Sequence, residues 1–179
     1  ERGVVPRREE SAPERLLVVA PHPDDDILGV GGTMADARSA GASVLVAFLT
    51  SGDANRAARH LTSLHPFRLT AGYRALGARR EREAVLALRH VGVSARDALF
   101  LNYPDRGLTP MLERHPSADD PYRSRFTDQA SAYSEFAYTP SSPYCAESLI
   151  RTLEQILVRY QPTVLYMPHP QDAHPDHRA

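Results

Sequence analysis

The chain has 179 residues, 42% of them hydrophobic and 24% charged, which is the balance of one globular domain large enough for a full core. Its 21 basic and 22 acidic side chains leave a formal charge of -1, which excludes the basic footprint of a general nucleic-acid binder. No apolar run reaches the ~20 residues that a membrane span requires, and residues 1–14 lack the apolar centre of a signal peptide.

In chain order, residues 1–14 are charged and contain Pro6 and Pro13, a loose lead-in. The apolar run Leu16–Ala20, closed by Pro21, reads as a buried strand. Pro23 steers His22 away from helical backbone, and Asp24, Asp25 and Asp26 suit a helix start. Ile27, Val30, Met34 and Ala37 fall at helical spacing and carry that helix to about Ser39, with Gly41 as its stop. A second strand is predicted over Val44–Leu49, closed by Thr50-Ser51-Gly52-Asp53. Residues 54–68 are polar and basic, a loop with helical turns. A helix is predicted from Ala71 to His90, with Leu76, Arg80, Glu83, Ala84, Ala87 and Leu88 sharing faces, and a third strand over Ala98–Leu101. Residues 106–143 are rich in Pro, Ser, Asp and Tyr and lack periodicity; such a length reads as a mobile loop at the mouth of a pocket. A helix comes next over 145–160 with Leu149, Leu153, Ile156 and Leu157 inward, then a fourth strand over 163–167. Strands alternating with helices predict an α/β fold, a Rossmann-like three-layer sandwich around a mostly parallel sheet.

Cys145 stands alone, so no internal disulfide forms. That favours a reducing, cytoplasmic setting, although a mature secreted form fits the same composition. The chain begins without Met and stops at Ala179 where a further helix is expected. It is therefore expected to be part of a longer protein that holds residues 1–179 as one domain.

Two polar clusters stand just after strands. The first is His22-Pro23-Asp24-Asp25-Asp26. The second is His169, Asp172, His174, Asp176 and His177. Ligands of open α/β sheets sit beyond the carboxyl ends of the strands, where both clusters fall. Three adjacent carboxylates repel one another, which raises some of their pKa values, and a cation relieves this. Neutral imidazole and carboxylate are ordinary zinc ligands, and an Asp can orient a ligating His from behind. A catalytic site needs about three protein ligands and one open position. His22, Asp25 and one of the terminal His residues supply that set and leave Asp24 as a base. Gly29, Gly31 and Gly32 do not have the G-x-G-x-x-G spacing of a dinucleotide loop.

These motifs resemble the PIG-L/LmbE-like family of zinc-dependent N-acetylglucosaminyl deacetylases. The family's Ala-His-Pro-Asp-Asp-Glu reads here Pro21-His22-Pro23-Asp24-Asp25-Asp26, and its His-Pro-Asp-His stands intact at 174–177. Arg80-Glu81-Arg82-Glu83-Ala84 resembles the family's Arg-x-x-Glu helix, and Leu101-Asn102-Tyr103-Pro104-Asp105 its Leu-x-x-Pro-Asp strand end. The resemblance implies removal of acetyl from a small-molecule N-acetylated sugar conjugate. It implies that His22, Asp25 and His177 bind Zn2+, with Fe2+ accommodated by the same donors. It further implies Asp24 as general base, a protonated His174 acting on the oxyanion or the leaving amine, and Arg80 and Asp105 lining the sugar pocket. Asp26 stands where the family has Glu, one methylene shorter. Two other readings carry weight. A magnesium-dependent phosphoryl-transfer domain would use the acidic cluster, but magnesium prefers oxygen ligands to His. A non-catalytic sugar- or metal-binding module would keep the scaffold but has no need of Asp24 and His174.

Overall fold

The computed structural model describes residues 13–55 and 69–179. The predicted lead-in, up to residue 12, and the loop of 54–68, from residue 56 on, lie outside the described residues. Four strands form one sheet: β1 (Arg15–Ala20), β2 (Ser43–Thr50), β3 (Ala98–Tyr103) and β4 (Val164–Tyr166). Their order is β3-β2-β1-β4 and every pairing is parallel, with Leu16 opposite Val44 on one side and Val164 on the other. All four carboxyl ends therefore open on the same rim.

The strands alternate because both faces of the sheet are buried. Leu16, Val18, Val44, Val46, Phe48 and Phe100 face one layer, and Leu17, Ala47, Leu49, Leu101 and Tyr103 face the other. The first layer is α1 (Asp25–Ser39) and α2 (Leu69–His90), which insert Met34, Ala84 and Leu88. The second layer is α3 (Leu108–Arg114), α4 (Ala146–Tyr160) and part of the segment between them. Phe48 and Phe100 stack at 4.9 Å with no exposed surface on Phe48. Full burial of a side chain of this size stabilises by about 1.5–3 kcal/mol.

Several expectations change in detail. α1 bends at Val30, which has non-helical backbone among Gly29, Gly31 and Gly32, so those glycines belong to a kinked helix rather than a phosphate loop. On α4, Leu149 and Ile156 are buried with Thr152, whereas Leu157 faces solvent, because the stripe facing the sheet runs through 149, 152 and 156. On α2 the buried polar residue is Glu81, while Glu83 is exposed.

The largest departure is residues 106–143. They do not form a loose loop. They begin with α3, and the rest is a strap that buries Ala132 and Ala137 on the second face of the sheet and Phe126 beside Tyr73 of α2. Its order comes from hydrogen bonds that leave no periodicity in sequence. Asn102, in left-handed backbone at φ 57° as Asn tolerates, accepts the backbone N–H groups of Tyr133 and Ser134 at 2.6 and 3.0 Å. Ser134 donates to Glu81 at 2.5 Å, Tyr133 donates to Asp53 at 2.7 Å, and Tyr138 N–H donates to Phe100 O at 2.7 Å.

Candidate metal centre and active site

The turn after β1 places His22 at the rim, and the first turn of α1 places Asp25 beside it. The carboxylate of Asp25 accepts the backbone N–H of His22 at 2.9 Å, which fixes it toward the imidazole. From the far end of the chain, the 3-10 turn Pro175–His177 brings His177 to the same point. Nδ1 of His22 lies 3.2 Å from Oδ2 of Asp25, Nε2 of His177 lies 3.2 Å from the same oxygen, and the two nitrogens are 3.3 Å apart. A tetrahedral ion with bonds of 2.0–2.2 Å sets its ligand atoms about 3.3–3.6 Å apart. The three atoms thus fit the donor set and spacing of a divalent metal site.

The rear nitrogen of each imidazole is engaged by carboxylates. Nε2 of His22 faces Asp176 at 3.3 Å and Asp105 at 3.4 Å, and Nδ1 of His177 faces Asp172 at 3.2 Å. This arrangement turns a lone pair of each ring toward the shared point and raises its basicity. Asp176 is itself held by the backbone N–H groups of Arg106 at 2.6 Å and Leu108 at 3.2 Å, and Asp105 by that of Ala54 at 2.7 Å. Among the described residues His22, Asp105 and Asp176 also converge closely enough to hold a cation. Those carboxylates already accept backbone N–H groups, so we read them as the support of His22.

Electrostatics follow from this crowding of carboxylates. Burial works to lower the pKa of His22, but hydrogen bonds to Asp105, Asp176 and Asp25 prevail and raise it to about 11. The site therefore demands positive charge. A proton on His22 supplies one unit; a divalent cation supplies two and engages all three converging atoms. Burial also works to raise Asp25 and Asp105, and their bonds to His22 prevail and lower both. Asp26 behaves differently. It is 1% exposed, neither oxygen has a partner among the described residues, and burial raises it to about 6. The rise expected from neighbouring carboxylates thus falls on Asp26, with burial as its first cause.

A pocket of about 290 Å³ opens over the converging atoms, lined by His22, Asp24, Asp25, Asn55, Arg80, Asp105, Arg106, His174 and His177. Every sequence-predicted site residue is in this wall. Asp24 is exposed to it, and Arg80 pairs with Asp24 at 2.9 Å. His174 lies edge-on to His22 with ring centres 4.8 Å apart. For His174, Nδ1 accepts the N–H of Asp176 at 3.3 Å, and burial, then the charge of His22, lower its pKa, which weighs toward a hydrogen-bond donor rather than the charged ring that the resemblance implies. With Nδ1 accepting, Nε2 is the ring nitrogen left to donate. Arg80 and Asp105 have much of their polar surface committed to protein. In the sequence Gly52 and Asp53 stand only as a strand-closing turn, Asn102 only as an unspecified position of the strand-end motif, and Tyr133 carries no motif. His169 stays in an exposed turn, where Nδ1 accepts the N–H of Gln171 at 3.2 Å.

The GlcNAc-PI de-N-acetylase (PIG-L) family model matches residues 17–179. A 1D-myo-inositol 2-acetamido-2-deoxy-alpha-D-glucopyranoside deacetylase of Kineococcus radiotolerans is 32% identical over 168 residues, covering 92% of this chain and 42% of that protein. The chain spans less than half the length of the curated relatives it matches. The N,N'-diacetylchitobiose deacetylase of Pyrococcus horikoshii superposes with a TM-score of 0.58 at 24% identity, over 92% of this chain and 45% of that one. The 4-carboxy-2-hydroxymuconate hydratase GalB of Pseudomonas putida gives 0.59 at 17% identity, over 92% and 51%. The last two likenesses speak for the fold alone.

Proposed function

Because the chain belongs to the PIG-L, GlcNAc-PI de-N-acetylase, family, we propose that it is the metal-binding domain of an amidohydrolase that removes acetyl from an N-acetylglucosaminyl conjugate. We read 1–179 as one such domain, with His22, Asp25 and His177 as ligands of Zn2+. The observation that carries this is the convergence of those three atoms at 3.2–3.3 Å beside the exposed carboxylate of Asp24, which Arg80 pairs. Two imidazoles among three donors favour zinc over magnesium, and so favour hydrolysis over phosphoryl transfer. Asp24 and His174 in the same wall favour catalysis over mere binding.

A divalent ion held there supplies Lewis acidity, polarising the acetyl carbonyl and lowering the pKa of water. The chain's own residues do the rest. Asp24 accepts a proton from the attacking water, whose oxygen bonds to the acetyl carbon. The Nε2–H of His174 donates a hydrogen bond to the developing oxyanion. Asp24 returns its proton to the nitrogen as the C–N bond breaks, leaving acetate and a free amine. Asp105, Asp172 and Asp176 keep the imidazoles oriented. Arg80 and Asp105 stand in the pocket wall within reach of the sugar.

The test is release of acetate and free amine from a panel of N-acetylglucosaminyl conjugates, with metal content measured on the same preparation. Turnover that tracks bound zinc supports the reading. A zinc-loaded protein inactive on every conjugate, or one that takes up only magnesium, overturns it.

A further inference from the structure

The carboxylate of Asp24 is half exposed and gives no cap to the helix it precedes. Among the described residues its one hydrogen-bonding or ion-pairing partner is Arg80. Arg80 reaches it from α2 with both Nη atoms engaged. Nη1 donates to Gly52 O at 3.0 Å, and Nη2 donates to Pro23 O at 3.0 Å while pairing with Asp24 at 2.9 Å. The guanidinium therefore ties the end of β2 to the turn after β1.

The seat of that guanidinium is the space a side chain at residue 52 would take. A Cβ on Gly52 would overlap Nη1 and come within 2.6 Å of Cζ. The atoms it meets are the bonded head of Arg80, not the loose end of a flexible chain. The positive φ of Gly52, 62°, is a second demand for glycine. It is shared by Gly41, at φ 87°, where a Cβ would meet nothing within 4 Å.

We propose that Gly52 is a positioning residue for the reaction: by lacking a side chain it seats Arg80, and Arg80 holds Asp24 over the converging ligands. This rests on Asp24 being the base. The measurement compares parent, Gly52→Ala, Gly41→Ala, Asp24→Asn and Gly52→Ala/Asp24→Asn, all zinc-loaded. Crystal structures report the Arg80–Asp24 separation, metal analysis the ions per chain, and assays the kcat. In Gly52→Ala the pair should part beyond 4 Å, metal content should stay at the parent level, and kcat should fall about 10²-fold, the usual cost of a misplaced catalytic group. Gly41→Ala shares the left-handed backbone and should keep the parent kcat. In the Asp24→Asn background, Gly52→Ala should cost no further activity, because it acts through that carboxylate. A Gly52→Ala protein with the pair intact, or with the parent kcat, overturns the proposal, as does a full further loss in the Asp24→Asn background. Should Gly52→Ala not fold, Arg80→Lys keeps the charge without the fork. It should lower kcat in the parent background and not in the Asp24→Asn background; equal losses in both overturn the proposal. If the parent releases no acetate, the deacetylase reading fails, and the crystallographic separation still decides whether Gly52 seats the pair.

Discussion

At the scale of single residues, neighbouring carboxylates divide by what they face. Asp25 faces two imidazole nitrogens at 3.2 Å, and Asp24 faces the pocket. Asp25→Ala should lower metal content and lose activity with it, with partial recovery in excess zinc. Asp24→Asn should hold metal as the parent does while kcat falls by about 10²–10⁴, the range of a general-base contribution. Metal analysis and rates on the same preparations check both; a metal-free Asp24→Asn would reverse the assignment. Asp53 gives a pH-dependent case. It is 2% exposed, Oδ1 has no partner among the described residues, and burial, then the charge of Asp105, raise it to about 8. The folded chain thus keeps a proton that the unfolded chain releases near its ordinary value of 3.8. That contribution to stability is full below about pH 4 and is lost as pH rises through about 8. Asp53→Asn removes the titration, so its stability relative to the parent should improve from pH 5 to pH 8. Urea midpoints at both pH values check this; a difference that is constant or shrinks with pH sinks the argument. The residues proposed as ligands were legible in sequence because they close strands within short motifs. Asp53 and Gly52 were not, since their roles arise from what α2 and the strap bring against them.

At the scale of elements, what was legible is what repeats. β1 to β4 and the helices α1, α2 and α4 were found within a few residues, because burial on one or both faces imposes a period on the sequence; the short α3 was not. Residues 115–143 are held instead by irregular backbone pairings, such as Ala132 N–H to Ser142 O and Tyr144 N–H to Ala130 O, and by single side-chain bonds, all silent in any periodicity. Asn102 is the chief anchor, accepting two N–H groups of the strap and donating to Ser51 at 2.6 Å. Asn102→Ala leaves both strap donors without their acceptor, at about 1–3 kcal/mol for each buried group left unsatisfied. We expect a loss of about 2–5 kcal/mol in denaturant unfolding, together with faster proteolysis between residues 130 and 140. A variant within 0.5 kcal/mol of the parent, the ordinary effect of a surface change, would mean that the strap is anchored elsewhere.

At the scale of the whole molecule, the alternation of strands and helices announced a parallel sheet but not the order β3-β2-β1-β4, which only the pairing reveals. That order puts β4 beside β1, and so puts His177 within bonding distance of His22 across 155 positions of chain. The same fold carries the hydratase of Pseudomonas putida, so the chemistry here is argued from the site rather than from the sheet. Closing a loop of this length through one cluster also ties stability to the ion. β4 has only three residues, and the chain beyond it is fastened mainly by Asp176 to the start of α3 and by Thr109, which donates to Pro175 O at 3.0 Å. An ion that binds the assembled ligands and not the unfolded chain adds about 2.7–4.1 kcal/mol at 100–1,000 times its dissociation constant. For a chain of this length that corresponds to about 5–16 °C in Tm. Chelation should therefore lower the Tm of the parent by such an amount, and readdition of zinc should restore it. Asp24→Asn should show the full shift, because it removes no ligand. Asp25→Ala should start from the chelated Tm and shift little, because one of three ligands is gone. Equal shifts in Asp24→Asn and Asp25→Ala would place the ion away from the point where β1, α1 and the last turn of the chain meet.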